Sequence, residues 1–546
     1  MISSRGFINS TGHPPYPNGL PLLGAGGFMF IKILLTVIFL AVTVFVGIYS
    51  RKQANNVDGF VLGGRSVGPW LSAFAFGTSY FSAVVFVGYA GQFGWKYGLA
   101  SSWIGIGNAL IGSLLAWLIL GRRTKLMTQH IHSRTMPDFF GTRFSNQGLR
   151  IAASIIAFVF LIPYTAGVYS GISKLFDMGF GIPYEYCIII MALLTAVYVI
   201  LGGYKATAIN DFIQGIVMLG GIIAVIVVVL NSQGGLTEAF NKMKEVAPTA
   251  HDLESPLYKD FQPGDFASWF GPNAISLLGV VVLTSLGTWG LPQMVGKFYS
   301  ITDEAAIRRG TIISTIFAFI VAGGCYFLGG FGRLFGEPVW NEARHNYKFD
   351  DIIPTMLDTA VNSDLLIGLV MVLVLSASMS TLASLVLTSS STMTLDLIYR
   401  DKRATADEVK SGEIDDEVAE KIERRKVVIM RVLIVFFIVI SVLIALNPPT
   451  FIAQLMGISW GALAGAFLAP FLLGLYWRGV TTASVWACFI WGVGFTVVNM
   501  ILGNPINPID CGAIAMVGGF PVVLLVSLFT KKLPQAKLDS IWKCYK

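Results

Sequence analysis

Residues 375–391 read LSASMSTLASLVLTSSS, an apolar stretch in which nine of seventeen side chains are Ser or Thr. A hydroxyl in hydrocarbon without a partner costs several kcal/mol, about 4–8 on the harshest scales. Such groups either donate to carbonyls three or four residues earlier on their own helix or face something polar. Ser380 and Thr381, with the carbonyl of Ala377 one turn earlier, stand close enough on a helix to share a small hard cation. Sodium favours oxygen ligands, and neutral ones suffice for a single charge. Two further stretches offer oxygens from broken backbone. They are FGTSYFS at 76–82 and TSLGTWGLPQ at 284–293. Gly and Pro at membrane depth free backbone groups that something else must satisfy. Asp211, in AINDFIQG, is a carboxylate beside an apolar run. Its cost there marks it as functional or paired.

The elements that must carry these residues are membrane helices. Of 546 residues, 54% are hydrophobic and 13% charged, with mean hydropathy +0.70. Soluble domains carry about 25% charged residues. The 59 glycines suit close helix packing in a bilayer. The net charge of +7 reads as positive loops on one membrane face, so no nucleic-acid partner is expected. A span needs about 20 mostly apolar residues. Thirteen such segments run along the chain, near 28–49, 68–91, 99–120, 150–174, 184–202, 206–230, 273–297, 310–333, 363–396, 427–446, 450–476, 481–502 and 511–530. Lys and Arg concentrate in alternate loops, among them GRRTK, AIRRG, RDKR, IERRK and the tail. That bias places the N-terminus outside and the C-terminus in the cytoplasm of a multi-pass cell-membrane protein.

Three divisions follow: 1–27 as a disordered Pro- and Gly-rich extension, 28–530 as the transmembrane domain, and 531–546 as a cytoplasmic tail. The extension lacks the apolar core of a signal peptide, and Met29 is a second candidate start. The charged segment 400–426 reads as a helical, solvated connector. Cys187, Cys325, Cys488, Cys511 and Cys544 are scattered, which gives neither a disulfide framework nor a zinc site. His130 and His132, the nearest pair among the histidines, read as loop residues. The interrupted spans, the second and the seventh, lie five apart. Spans 2–6 and 7–11 therefore fit two inverted five-helix repeats, an architecture in which substrate and ions bind at broken helices near the midplane.

The motifs DGFVLGGRSVGPWLSAFAFGTSYFSA, MPDFFGTRF, GGYKATAINDFIQGIVM, GLPQMVGKFYS, SASMSTLASLVLTSSSTMTLDLI and APFLLGLYWRG occur in this order along the chain. Over about 28–530 it resembles the sodium/solute symporter family, with the proline and pantothenate branches most similar. The resemblance implies an all-α protein of about thirteen membrane helices with a leucine-transporter-like five-plus-five inverted-repeat core. It implies a co-transported sodium ion held by the backbone of Thr78, Phe81 and Ala377 and the hydroxyls of Ser380 and Thr381. It puts Asp211 on the inner ion pathway. In some members a second sodium uses a hydroxyl where this chain has Ala383, with Ser384 next to it, so one sodium per cycle is expected.

The pocket departs from the family's sugar branch. Tyr80, Val85 and Ser102 stand where sugar transporters carry Asn, Gln and Glu, too few partners for a sugar's hydroxyls. Where Tyr80 stands, the proline branch has an acidic residue. The expected solute is small and partly apolar: an amino acid, pantothenate or another monocarboxylate. Its expected lining is Ser79, Tyr80, Ser82, Trp103, Trp289 and Gln293, with Trp289 closing the pocket from inside. Lys297, at the end of the seventh span, is expected to snorkel to the interface.

Rival classes find little support. A primary pump needs a nucleotide site, and the chain has no GxxxxGK[ST] motif. An embedded enzyme needs a His, Asp, Glu or metal cluster, and none is visible. A transporter-like sensor needs a signalling partner, since about 16 residues follow the last span. A proton-coupled symporter needs a titratable group at the ion site, which a set of hydroxyls and carbonyls lacks.

Overall fold

The protein is described by a computed structural model. It describes residues 25–180, 182–342, 346–361, 363–399 and 416–545. Most of the 1–27 extension and the first part of the 400–426 connector lie outside these residues. The first helix already begins at Ala25, and the end of the connector opens the helix Asp416–Leu446.

Among the described residues, ten helices are long and apolar enough to cross a membrane. The pair Ala274–Gly290 and Pro292–Tyr299, bent by 46°, is an eleventh candidate. The sequence leads to a higher count because two of the ten each run through two of its segments, in whole or in part. Val84–His130 has 47 residues and Tyr184–Ser232 has 49. At about 1.5 Å per residue each is about twice the length that about 30 Å of hydrocarbon requires. Glycines at positive φ interrupt both, Gly98 at 59° and Gly203 at 56°.

Breaks fall where the sequence removes helical support. The helix Pro69–Tyr80 starts on a proline and opens at Phe81, whose φ of −105° and ψ of 109° are extended. The chain resumes as a wide π-helical turn, Val84–Tyr89, then as Ala90–Tyr97. In the seventh span, Leu291 is extended and Pro292 starts the new helix, where its missing N–H costs nothing. The helix Asp364–Thr392 crosses beside the first break, packed against Tyr184–Ser232 and Gln147–Phe180.

Small residues bring the helices close. A side chain at Gly94 would run into the backbone of Gly329, so the second span and the helix Glu304–Gly329 touch backbone to backbone. At the end carrying the basic loops, buried charges tie segments together. Arg150 reaches Asp396 at 2.8 Å and Asp138 at 3.6 Å, and Thr135 donates to Asp396 at 2.5 Å. The tail forms the helix Gln535–Trp542 and docks there, with the Arg123 guanidinium 4.1 Å from the Tyr476 ring and 4.6 Å from the Tyr545 ring.

Candidate functional site

Opening the helix at Phe81 leaves four backbone groups in need of partners, and hydroxyls supply them. Ser380 Oγ donates to the Thr78 carbonyl at 2.9 Å and to the Ala377 carbonyl at 3.2 Å. Thr381 Oγ1 lies 3.4 Å from the Thr78 carbonyl, 3.3 Å from that of Ser79 and 3.2 Å from that of Ala377. On the other side of the break, the Ala83 N–H donates to Ser378 Oγ at 3.3 Å and the Val84 N–H to Ser82 Oγ at 3.2 Å. All these residues are buried. Five neutral oxygens, three carbonyl and two hydroxyl, thus converge where two helices meet. A hydroxyl both donates and accepts. By turning its hydrogen away, each of the two can join the carbonyls in facing a cation. Phe81 marks the opening, and its ring stacks on Tyr80 with centroids 4.4 Å apart.

The same helix treats its two halves differently. Beyond Leu387 three hydroxyls serve their own backbone: Ser390 donates to Leu387, and Ser391 and Thr392 both donate to Thr388. In the upper half, Ser384 Oγ lies 2.8 Å from Ser79 Oγ and accepts from Lys297 Nζ, also at 2.8 Å. Lys297 Nζ stands 3.6 Å from Asp211, and both side chains are almost fully buried. The expectation that Lys297 reaches the interface is therefore corrected. The bend at Leu291 turns the short helix that carries it inward, toward Asp211.

The residues expected to hold the solute divide. Ser79 and Ser82 sit at the break with the contacts above. Tyr80 Oη donates to the Thr284 carbonyl at 2.6 Å, joining the two broken spans. Trp289 is 5% exposed and donates through Nε1 to the Ile111 carbonyl at 3.0 Å. Gln293 is buried, and neither amide atom is hydrogen-bonded among the described residues. It lines a narrow cavity of about 40 Å³ at the basic end, together with Lys297, Ser384, Tyr204 and Thr388. Trp103 is not brought to this centre. It is 40% exposed and donates to the carbonyl of Trp269 at 2.8 Å, in the segment before the seventh span.

Sequence reading missed an aromatic cluster beside the break. The Trp460 ring lies 5.7 Å from Tyr164, 6.4 Å from Tyr80 and 6.5 Å from Tyr89. Trp460 Nε1 and Tyr89 Oη are buried without a hydrogen-bond partner among the described residues. Apolar walls with a few unspent polar atoms suit a small amphipathic ligand. The available signal was GISWGALAGA, a lone Trp among small residues.

Residues 60–492 match the model of the Sodium:solute symporter family, and the chain belongs to that family. It is thus a multi-pass membrane transporter of the sodium-coupled symporter class, not an enzyme. Among its relatives are the Sodium/proline symporter of Staphylococcus aureus and Sodium/proline symporter 2 of Staphylococcus saprophyticus. The first is 28% identical, covering 92% of each chain; the second is 26% identical, covering 91% of this chain and 92% of the relative. A solved structure of a Na+-coupled sialic acid symporter superposes with a TM-score of 0.73 at 17% identity, covering 92% of this chain and 99% of that one. The fold is accordingly leucine-transporter-like, with the broken second and seventh spans at its centre.

Proposed function

We propose that this protein imports a small, partly apolar solute bearing a carboxylate, such as proline or another amino acid, pantothenate or a short monocarboxylate, together with one sodium ion. The observation that carries the reading is the convergence of Ser380 and Thr381 on the carbonyls of Thr78, Ser79 and Ala377 at the helix break. Sodium takes the place of the hydroxyls' hydrogen bonds there, bridging the opened second span to the helix Asp364–Thr392. The solute sits beside it, against Tyr80, Tyr89, Tyr164 and Trp460. Likeness to the sodium/proline symporters supports proline as the first solute to try.

The cycle is alternating access. Sodium and solute both favour the same state, which is what couples them. Loading the ion site fixes the break and completes the solute pocket. The bundle then rocks, and both cargoes leave through the narrow cavity beside Gln293 and Lys297 at the basic end, taken as cytoplasmic. Ion pairs at that end, Arg150 with Asp396 among them, rearrange as it opens. Thirteen passes, with each of the two long helices counted as two, give an outside N-terminus and a cytoplasmic tail at 531–546. One charge falling through about 100 mV yields about 2.3 kcal/mol. A tenfold sodium gradient adds about 1.4 kcal/mol. Together they sustain on the order of several hundred-fold accumulation.

The test is uptake of labelled proline, pantothenate and short monocarboxylates into proteoliposomes, under an inward sodium gradient and with choline instead. Accumulation of one of them only with sodium is the expected result. Accumulation driven equally by a proton gradient without sodium contradicts the ion assignment.

A further inference from the structure

We propose that the ammonium of Lys297 is a built-in cation that fills a second cation site at Asp211 and so holds the transporter to one sodium per cycle. The inference rests on the sodium-coupled reading above and adds a structural cause for its single sodium.

Asp211 is fully buried, and neither of its carboxylate oxygens has a hydrogen-bond partner among the described residues. A buried carboxylate without hydrogen bonds keeps its charge only beside a cation. Lys297 Nζ supplies it from 3.6 Å. The ammonium has three donors and no acceptor, and it meets one hydroxyl, one carboxylate and one ring face. It donates to Ser384 Oγ at 2.8 Å, faces Asp211, and lies 5.2 Å from the centroid of the Tyr204 ring.

Around this nitrogen stand the ligands an alkali cation would want. They are the Asp211 carboxylate and Ser384 Oγ, with Ser79 Oγ beyond it at 2.8 Å from Ser384. Ser79 also belongs to the first cluster, since its carbonyl accepts from Thr381. The two cation positions thus share a wall: one is formed of neutral oxygens open to a free ion, and the other holds a carboxylate already neutralised by a tethered charge. A tethered cation balances Asp211 but never leaves the protein, so it adds nothing to the ions carried. Lys297 sits in the wall of the narrow cavity at the basic end.

The test is equilibrium binding of ²²Na⁺ to the purified full chain in lipid nanodiscs, which needs no solute. We expect one sodium per chain in the wild type, none in the Ser380→Ala/Thr381→Ala variant, and one in Lys297→Arg. Lys297→Gln is expected to bind two, and Lys297→Gln/Asp211→Asn to return to one. One sodium in Lys297→Gln at wild-type affinity, or two in the wild type, overturns the proposal. No specific sodium binding in the wild type overturns the sodium-coupled reading itself, and this proposal with it. Lys297→Gln strands a buried carboxylate and is expected to unfold at lower temperature in choline chloride. Its Tm in NaCl is expected to recover, by a larger shift than sodium gives the wild type. A Tm that sodium does not restore also overturns the proposal.

Discussion

The two halves of the helix Asp364–Thr392 carry the same kinds of side chain and use them in opposite ways. Toward the basic end, Ser390, Ser391 and Thr392 donate to carbonyls three or four residues back. These hydroxyls conceal themselves, and the helix there behaves as any membrane helix tolerant of Ser and Thr. In the upper half, Ser378, Ser380, Thr381 and Ser384 reach across to another element. The neighbour makes the difference. Beside the upper half the second span is broken, so its backbone offers carbonyls and N–H groups that an intact helix would have used internally. A polar side chain acquires a function when it faces a vacancy in someone else's hydrogen bonding.

Substitutions can break or sharpen this contrast. The largest effect is expected from Ser380→Ala/Thr381→Ala, which removes both hydroxyls from the cluster. The sodium concentration for half-maximal uptake should rise at least about 100-fold, equivalent to about 2.8 kcal/mol; uptake titrated against sodium reads it. Trp460→Leu should raise the solute KM about tenfold and leave the sodium dependence in place, because it alters the aromatic cluster and not the oxygens. Tyr198→Phe removes the donor to the Met379 carbonyl in the upper half. That carbonyl keeps its helical partner, so losing the extra hydrogen bond should cost about 0.5–1.5 kcal/mol of stability, read as a lower Tm in detergent. The smallest effect is expected from Ser390→Ala/Ser391→Ala in the self-satisfied half: uptake within about twofold of wild type and stability within about 0.5 kcal/mol. A loss there as large as in the upper half would erase the distinction.

How much of this was legible in the sequence follows the same line. The break at 76–82 shows as glycine and hydroxyls inside an apolar run, and the partner hydroxyls at 376–384 show as composition. Their meeting was inferred from a family resemblance, since no local pattern says which helices touch. Lys297 was misread because a lysine at the end of a span normally reaches water. A bend of 46° at Leu291 redirects it, and sequence gives the proline but not the direction of the turn. Trp103 follows Gly98 closely, and the reversal at that glycine leaves it near the loop residue Trp269 rather than in the centre. Trp460 was overlooked because an aromatic in an apolar helix looks like packing; only the unspent Nε1 distinguishes it. The family model, at 60–492, covers the breaks and both halves of the hydroxyl-rich helix, so membership was accessible where residue roles were not.

The most direct test of the account compares labelled proline uptake by wild-type and Ser380→Ala/Thr381→Ala proteoliposomes, with Ser390→Ala/Ser391→Ala as the control, under an inward sodium gradient and in choline. The account predicts sodium-dependent accumulation in the wild type and the control, and its loss in the upper-half variant at ordinary sodium. Equal sodium-driven accumulation in all three would contradict it, because the hydroxyls at the break would then be holding only the protein's own backbone.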